Sequence, residues 1–421
     1  MNEIDQTHYM RALTQLGDRK AVINHEPIYT DNKVKLVDSG SRIDSSLFEH
    51  LIRHKLLKPI DESLSIEGMV DHRVLLGDAN GLLASDPLLQ RFQQGTANKY
   101  RLATVLPKLS LPLTIAVKLT VAREERFELY NHSLLSLIIS LYAAAQGHLT
   151  ENETIALASA ALLHDLGLLH IDPALLAPQH RLTETERRHL YAHPIIGYLL
   201  LKPFDDYPEA VCNAIYEHHE RLDGSGYPRG LTVKSIGMIS QFLGVVEIIA
   251  SRFDDEGHCK ACQQLEFILK MNTSKLNPQL ITLFSPIFPE LRNQQAMPES
   301  ADAEKLLACL AKVHSLLEQW QGVEQHDSTA QASAEVAFIN GQLETLRTTL
   351  RYAGLDQGGL AQLLSDDGED EEILQDFLIA ISEVRWQLKG LWNEVTRRWP
   401  ELAESSRNRA MAQWLTELKG L

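Results

Sequence analysis

Residues 155–165 read Ile-Ala-Leu-Ala-Ser-Ala-Ala-Leu-Leu-His-Asp, an apolar run that ends in two ionisable side chains. A run of this kind is carried into a protein interior, and it takes His164 and Asp165 with it. Ionisable groups are rarely buried unless they are paired or bind a metal. The doublet is therefore the first candidate for a metal site.

The sequence around this doublet, from Leu113 to about Phe288, is helical by its periodicity. Long apolar segments are separated by Gly, Pro, Asp and Asn, and no strand-like alternation of any length occurs. Successive candidate ligands lie 25 to 32 residues apart, which is about one helix and its connection. Each step can therefore bring a new helix past a shared centre, as in metal sites inside helical bundles. These candidates are His132, His164, Asp165, His193, His218, His219 and Glu247.

Two local features favour a centre with more than one ion. Adjacent residues on a helix point about 100° apart, so the pairs His164-Asp165 and His218-His219 can flank such a centre. Glu128 lies four residues before His132 on the same helical face and can offer a further ligand. Each pair taken alone is a weak signal, and it is the ordered combination that predicts the site.

Three motifs follow one another in an order that resembles the HD-GYP branch of the HD phosphohydrolases. They are His164-Asp165-Leu166-Gly167, His193-Pro194-Ile195-Ile196-Gly197-Tyr198, and His218-His219-Glu220-Arg221-Leu222-Asp223-Gly224-Ser225-Gly226-Tyr227-Pro228. The resemblance covers roughly residues 115 to 290, and the stretch Leu276 to Leu280 with Phe284 is similar to the family's closing helix. The third motif is the most specific part.

The resemblance implies a helical bundle that holds two or three divalent ions, iron or manganese, and hydrolyses cyclic di-GMP. It implies a bridging role for Asp165 and an extra carboxylate ligand at Glu128, as in three-metal members. By position, the implied metal ligands are Glu128, His132, His164, Asp165, His193, His218, His219 and Glu247. The implied catalytic residues are His164, Asp165 and His218, and the implied substrate contacts are Gly226, Tyr227 and Pro228.

The chain departs from the family pattern around the substrate phosphate. Leu168 replaces the usual lysine, Gln241 replaces an arginine, and Glu247 replaces a late aspartate ligand. The segment Arg252-Phe253-Asp254-Asp255-Glu256 is acidic where Arg and Tyr are expected. His170 is a hypothetical replacement for the missing lysine. Three functions therefore stay open: a cyclic di-GMP phosphodiesterase, a degenerate domain that binds metal or nucleotide as a sensor or scaffold, and a phosphohydrolase of another nucleotide.

The predicted fold class is mainly α, with a central HD-type helical bundle between a small α+β N-terminal module and a helical C-terminal region. We expect strands at residues 21–23 and 33–37 and a helix from Asp44 or Ser45 through Leu57. The predicted boundaries are residues 1–85 for a regulatory N-terminal module, 86–112 for a linker, 113–292 for the HD-GYP-like domain, 293–334 for a linker with one helix, and 335–421 for two or three amphipathic helices.

The net charge of the chain limits the classes of binding partner that it favours. The formal net charge of -16 argues against a nucleic-acid polymer or an anionic membrane, because both select a cationic face. A small phosphorylated ligand stays compatible with this charge, since bound ions neutralise it locally.

The longest apolar run, Leu134 to Ala145, is too short to span a bilayer, and residues 1–5 have no apolar stretch typical of a signal peptide. Cys259 and Cys262 have the spacing of half a zinc site, without a second pair. We expect a cytoplasmic protein, a protein partner for the C-terminal helices, and a homodimer.

Overall fold

The computed structural model describes residues 5–177, 179–253, 265–288, 300–326, 333–352, 354–355, 371–402 and 409–420. The chain divides into two compact units. Unit 1 comprises Met1–Glu220 and Ser235–Lys260, and unit 2 comprises Arg221–Lys234 and Ala261–Leu421. The acidic residues 254–256, the pair Cys259 and Cys262, and residues 293–299 and 327–332 of the second predicted linker lie outside the described residues.

Unit 1 begins with a small α+β region, as predicted. Strand β1 pairs with β4 in antiparallel register, Val22 opposite Ile66, and β2 pairs with β3. Asp44 does cap the predicted helix, accepting a hydrogen bond from the Ser46 amide. The predicted end of that helix at Leu57 is wrong: it ends at Ile52, because Leu56 forms a β-bridge with Thr30. The elements are α1 (Thr7–Arg19), β1 (Val22–Asn24), β2 (Ile28–Tyr29), β3 (Lys35–Val37), α2 (Phe48–Ile52) and β4 (Leu64–Ile66).

The stretch expected to be a linker, residues 86–112, has a packed structure of its own. It holds α4 and α5, and it buries Leu89, Phe92 and Leu106 almost completely. The Phe92 ring packs edge-on against Tyr142, which belongs to the helical bundle of the same unit. This stretch therefore contributes to the core of unit 1. The elements here are α3 (His72–Ser85), α4 (Pro87–Gln94) and α5 (Leu102–Val105).

The rest of unit 1 is a helical bundle, as predicted for an HD domain. Its central helix α7 is buried along almost its whole length, and Thr150 and Glu153 form a capping box that fixes the start of α8. Side chains at the ends of several of these helices point to a common centre. The helices are α6 (Leu113–Glu125), α7 (Phe127–Gln146), α8 (Glu151–Leu163), α9 (Glu184–Leu190), α10 (His193–Leu201), α11 (Glu209–Glu217) and α12 (Met238–Ala250).

A buried polar cluster joins the N-terminal region to the bundle within unit 1. Lys118 of α6 and Asp61 form an ion pair with each side chain only 3% exposed. The Tyr9 hydroxyl of α1 donates to the same carboxylate, and the Lys118 ammonium lies over the Tyr9 ring. Because both charges are paired and hydrogen-bonded, their burial is tolerated. Helix α1 is thus attached to α6 by a specific contact.

Unit 2 has a helical core of its own. It also includes residues 221–234, here called the signature loop. The tilted rings of Trp320 and Trp414 pack against each other in this core with centroids 4.6 Å apart, and the Trp414 indole donates to the Leu316 carbonyl. The described residues of the C-terminal region form three helices, within the predicted two or three. The described helices of the unit are α13 (Leu265–Met271), α14 (Pro278–Thr282), α15 (Ser300–His326), α16 (Ala334–Tyr352), α17 (Glu371–Arg398) and α18 (Arg409–Lys419). Among the described helices of the chain, none has the length and apolar character of a membrane span.

Candidate metal centre

Five helices of unit 1 supply the side chains of one buried centre. Helix α7 carries His132, and α12 carries Glu247. The doublet His164-Asp165 follows the last residue of α8, and His218-His219 follows the last residue of α11. His193 is the first residue of α10. Helix ends thus aim the doublets at the centre, which is the arrangement the spacing predicts.

One oxygen of Asp165 faces a group of three histidines. Oδ1 lies 3.3 Å from His193 Nε2 and 3.6 Å from His218 Nε2, and these two ring nitrogens are 3.2 Å apart. The His219 ring lies 5.0 Å from that of His193. Ligand atoms of Asp165, His193, His218 and His219 all lie within 4.8 Å of one another. Four such donors are enough to hold one divalent ion.

The other oxygen of Asp165 faces a second group. Oδ2 lies 3.4 Å from His164 Nε2 and 4.0 Å from His132 Nε2. Glu247 Oε2 lies 2.9 Å from His132 Nε2 and 3.1 Å from His164 Nε2. The Glu247 side chain therefore reaches the two ring nitrogens of this group. Asp165 is the one residue shared by both groups, which suits a carboxylate that bridges two ions.

Backbone carbonyls fix the orientation of three ligand histidines. His164 Nδ1–H donates to the Ala161 carbonyl at 2.9 Å. His193 and His218 make the same bond, each at 2.7 Å, to Leu190 and Ile215. Each acceptor lies three residues earlier, so the turn that precedes each of these histidines supplies it. With Nδ1 protonated, the Nε2 lone pair is left for a metal.

Unpaired buried atoms test whether the centre fits metal ions. His164 Nε2 and Asp165 Oδ1 are both buried, and neither has a hydrogen-bond partner of acceptable geometry. A buried polar atom without a partner costs about 1–3 kcal/mol, so such atoms are rare. Both atoms point into the two groups of ligands. Imidazole nitrogens and carboxylate oxygens in this arrangement can hold divalent ions.

Charge keeps the carboxylates ionised despite their burial. Burial alone would raise the pKa of Asp165, but the neighbouring imidazoles, His164 first, hold it well below its ordinary value. The pKa of Glu247 is likewise held well below its ordinary value by His132 and His164. Both side chains are therefore charged at neutral pH, as metal ligation requires.

The histidines divide into two electrostatic classes. Burial lowers the pKa of His218 to about 4, so its ring is neutral at pH 7. Burial would also lower the pKa of His132 and His164, but Glu247 and Asp165 outweigh it and raise both values. Both rings therefore hold a proton more tightly than a free imidazole does, and a divalent ion competes with that proton to bind.

Two predicted site residues lie elsewhere on the surface or in the core of unit 1. Glu128 is exposed in the first turn of α7 and belongs to neither group of ligand atoms, so its role as an extra ligand stays a prediction. His170 is buried beneath α1: its Nδ1–H donates to the Asp5 carbonyl at 3.1 Å, and its ring packs against Tyr9. Burial, followed by the charge of Lys118, lowers its pKa to about 3. A neutral ring held by α1 is unsuited to replace a lysine at a phosphate.

His170 is instead expected to make unit 1 sensitive to acid. Its pKa is depressed in the folded chain, so the unfolded chain binds the proton more readily, and stability falls as pH drops from about 6.5 towards 3. His170→Asn keeps a donor near Nδ1 and cannot titrate. The free energy of unfolding is measured by urea titration at a series of pH values. We expect His170→Asn to reduce the loss of this free energy on the acid side by up to about 1.4 kcal/mol for each pH unit. The exposed His25→Gln is the control; equal profiles for wild type and His170→Asn would contradict the assignment.

The predicted substrate contacts Gly226, Tyr227 and Pro228 lie in the signature loop of unit 2. The loop folds back on itself, since the Val233 amide donates to the Leu222 carbonyl and Asp223 forms a bridge with Thr232. These three residues therefore have a defined backbone, and their contact with a substrate stays a prediction.

The structure shows the local surroundings of two departures from the family pattern, Leu168 and Gln241. Leu168 is 8% exposed, and its carbonyl accepts a hydrogen bond from Arg126 at 3.0 Å. The same guanidinium donates to the Ile171 carbonyl at 3.1 Å, and burial lowers its pKa. Gln241 donates its side-chain amide to the Ile236 carbonyl at 2.9 Å. Arg126, which holds both ends of the turn after Asp165, was missed by the sequence reasoning. A cation at the break between two apolar helices was the available signal.

Comparison with known proteins agrees with this geometry. An HD domain family model matches residues 109–280. The chain is 30% identical over 130 residues to the cyclic di-GMP phosphodiesterase PdeB of Borreliella burgdorferi, covering 31% of this chain and 34% of that protein. It is 31% identical over 117 residues to the 3'3'-cGAMP-specific phosphodiesterase 3 of Vibrio cholerae, covering 28% of this chain and 25% of that protein.

Among solved structures, Bd1817, an HDG"Y"P protein from Bdellovibrio bacteriovorus, aligns with a TM-score of 0.36 and 17% identity, over 66% of this chain and 98% of that one. The chain spans about a third or less of the length of the two curated relatives described above. The family match, the order of the motifs and the clustered ligands concern the same residues. The chain therefore carries an HD domain over residues 109–280, with the motif order of the HD-GYP branch.

Proposed function

We propose that this chain is a metal-dependent phosphodiesterase that hydrolyses cyclic di-GMP. The observation that carries the proposal is the position of Asp165, whose two oxygens face two separate groups of ligands. A carboxylate between two ion sites is what a two-metal phosphodiester hydrolysis needs. The relatives named as cyclic di-GMP or cGAMP phosphodiesterases support the same substrate class.

The residues have separate tasks in this proposal. His193, His218 and His219 hold one ion, His132, His164 and Glu247 hold the other, and Asp165 holds both. When bound, the ions supply an activated water and neutralise the charge that develops on the phosphodiester. The backbone acceptors of His164, His193 and His218 keep each ring fixed before an ion arrives, so little reorganisation is needed on binding.

The ligand set favours iron or manganese. Imidazole suits iron, and a mixed set of imidazole and carboxylate supplies too few oxygens for magnesium and no thiolate for structural zinc. Two ions account for the two groups, and Glu128 is the proposed ligand of a third. The regulatory role of residues 1–85, a protein partner for the C-terminal helices, a homodimer and a cytoplasmic location remain parts of the proposal.

The substrate side supports a second candidate, a domain that binds nucleotide without turning it over. Leu168 and Gln241 stand where the family has cations, and the Leu168 carbonyl and the Gln241 amide are bonded to protein groups. Fewer cations at the phosphate mean weaker stabilisation of the transition state. A third candidate is hydrolysis of another cyclic dinucleotide, since the relatives include cGAMP-specific enzymes.

Product analysis distinguishes the three candidates. The full chain, loaded with manganese or with iron under anaerobic conditions, is incubated with cyclic di-GMP or 3'3'-cGAMP and the products are separated by chromatography. We expect linear product from cyclic di-GMP with the wild type and none with His218→Ala. Product only from cGAMP would assign the third function. Bound metal and bound nucleotide without product would assign the second.

A further inference from the structure

The signature loop is held from within unit 2 by Arg398, the last residue of α17. The Arg398 guanidinium donates Nη2–H to the Gly224 carbonyl, and the same nitrogen lies 3.5 Å from the Gly226 carbonyl. On the other side of the loop, a Cβ added at Gly230 would lie 2.5 Å from that nitrogen. The guanidinium thus fills the space between the two arms of the loop, at the residues next to Tyr227 and Pro228.

Arg398 is itself fixed on two sides. Its Nε–H donates to Glu394 Oε2 at 3.3 Å, and its guanidinium carbon lies 4.4 Å from the centre of the Phe338 ring on α16. Glu394 is only 6% exposed, so its charge is little screened. A planar cation that is stacked on a ring and bonded to a carboxylate loses little further freedom when it bonds the loop.

Two further hydrogen bonds lie near the start of the loop. The Leu222 amide donates to the Lys275 carbonyl at 2.9 Å, and Ser225 donates its amide to Asp223 Oδ1 at 2.9 Å. Gly224 and Gly230 have positive φ angles, which glycine adopts without strain, so the loop backbone has intrinsic freedom there. The carbonyls that Arg398 binds lie at and beside the first of these positions.

We propose that Arg398 is a positioning residue for the signature loop, and that through it the C-terminal helices set the affinity of this loop for a cyclic dinucleotide. The inference rests on the proposed function, because only that function makes Tyr227 and Pro228 substrate contacts. It gives the C-terminal region a task besides forming a core: a partner or ligand that moves the end of α17 changes the loop.

The test compares Arg398→Ala with Arg397→Ala in the full, metal-loaded chain. Arg397 is the matched control, since it lies next to Arg398 and its described bonds are to the same Glu394. We expect Arg398→Ala to speed hydrogen exchange at residues 222–233 and to raise KM for cyclic di-GMP about tenfold, with kcat within about threefold and metal content unchanged. Arg397→Ala should match the wild type in all four. Arg398→Lys should lower the raised KM only part of the way to the wild-type value, because a lysine ammonium group cannot replace a planar guanidinium that stacks on a ring and donates several hydrogen bonds.

Each outcome decides between the two claims. Arg398→Ala that matches Arg397→Ala in exchange and in KM overturns the positioning role. If Arg398→Ala lowers the melting temperature, Arg398→Lys, which keeps the charge, is the deciding variant in both measurements. A wild type that binds cyclic di-GMP without hydrolysis is compared by Kd in place of KM. A wild type that neither binds nor hydrolyses it overturns the proposed function, and loop exchange still decides whether Arg398 holds the loop.

Discussion

Asp165→Asn is expected to remove both ions from the centre and to reduce turnover of cyclic di-GMP by at least about a thousandfold. The asparagine keeps the size of the side chain but loses its charge, and one of its two oxygens becomes an N–H donor. Each Asp165 oxygen faces a different ligand group, at 3.3 Å from His193 and 3.4 Å from His164. The substitution therefore damages both groups at once. Elemental analysis of the purified chain measures the loss of metal, and product chromatography measures turnover.

Glu247→Gln tests whether Asp165→Asn loses both ions because Asp165 lies between the two ligand groups. Glu247 contacts only His132 and His164 among the ligands, so this variant should weaken one ion and keep the other. Asp172→Asn is the control that removes one carboxylate charge outside the two ligand groups. Asp172 accepts a hydrogen bond from the Ala174 amide, and the asparagine oxygen can accept the same bond. Equal metal loss in Asp165→Asn and Glu247→Gln would contradict a carboxylate shared between two ion sites.

The sequence predicted the helices and the clustering of the candidate ligands for related physical reasons. An apolar run that ends in an ionisable doublet has to bury that doublet, and the structure leaves His164 fully buried and Asp165 8% exposed. Spacing by one helix and its connection brought His193 and His218 to the same place. Such inferences succeed because helical periodicity is local, and because a bundle gives inward side chains only one interior to share.

Other features depend on contacts between distant residues, which no local pattern contains. His170 is a hypothetical phosphate contact by its place shortly after Asp165, but its surroundings are set by Tyr9 of α1 and by Asp5, which precedes that helix. Arg398 lies 174 residues from Gly224, whose carbonyl it binds. The strands β2 and β4, of two and three residues, are too short to show alternation. Tertiary packing, rather than propensity, decides each of these.

Glu247 is an intermediate case, because its position could be predicted from the sequence but the reach of its side chain could not. One extra carbon relative to aspartate was expected to shift either the ion or the helix. The structure places Oε2 within 3.1 Å of two ligand histidines, so the added length spans the distance from α12. Glu247 in place of an aspartate is thus compatible with a second ion. Leu168 and Gln241, in contrast, are uncharged side chains at positions where the family has a cation.

Gly167→Ala is expected to have the second-largest effect, through backbone packing alone. A Cβ on Gly167 would lie 2.1 Å from the His193 carbonyl oxygen and 2.9 Å from the Gly197 amide nitrogen. Both atoms belong to the backbone of α10, so no side chain can move aside. The turn after Asp165 and the start of α10 must separate, and the 3.3 Å approach of Asp165 to His193 is lost. Metal sites tolerate errors of only about 0.2 Å in ligand distance.

We therefore expect Gly167→Ala to destabilise the metal-free chain by about 3 kcal/mol or more and to bind less than half of the wild-type metal. Urea unfolding in the presence of a chelator measures the first effect, and elemental analysis measures the second. Gly77→Ala is the matched control, since Gly77 lies inside α3 with nothing within 4 Å of an added Cβ. That variant should gain about 0.5–1 kcal/mol, as alanine does in a helix. Wild-type metal content in Gly167→Ala would show that the contact between the turn and α10 does not set the ligand geometry, and that the centre tolerates a displaced His193.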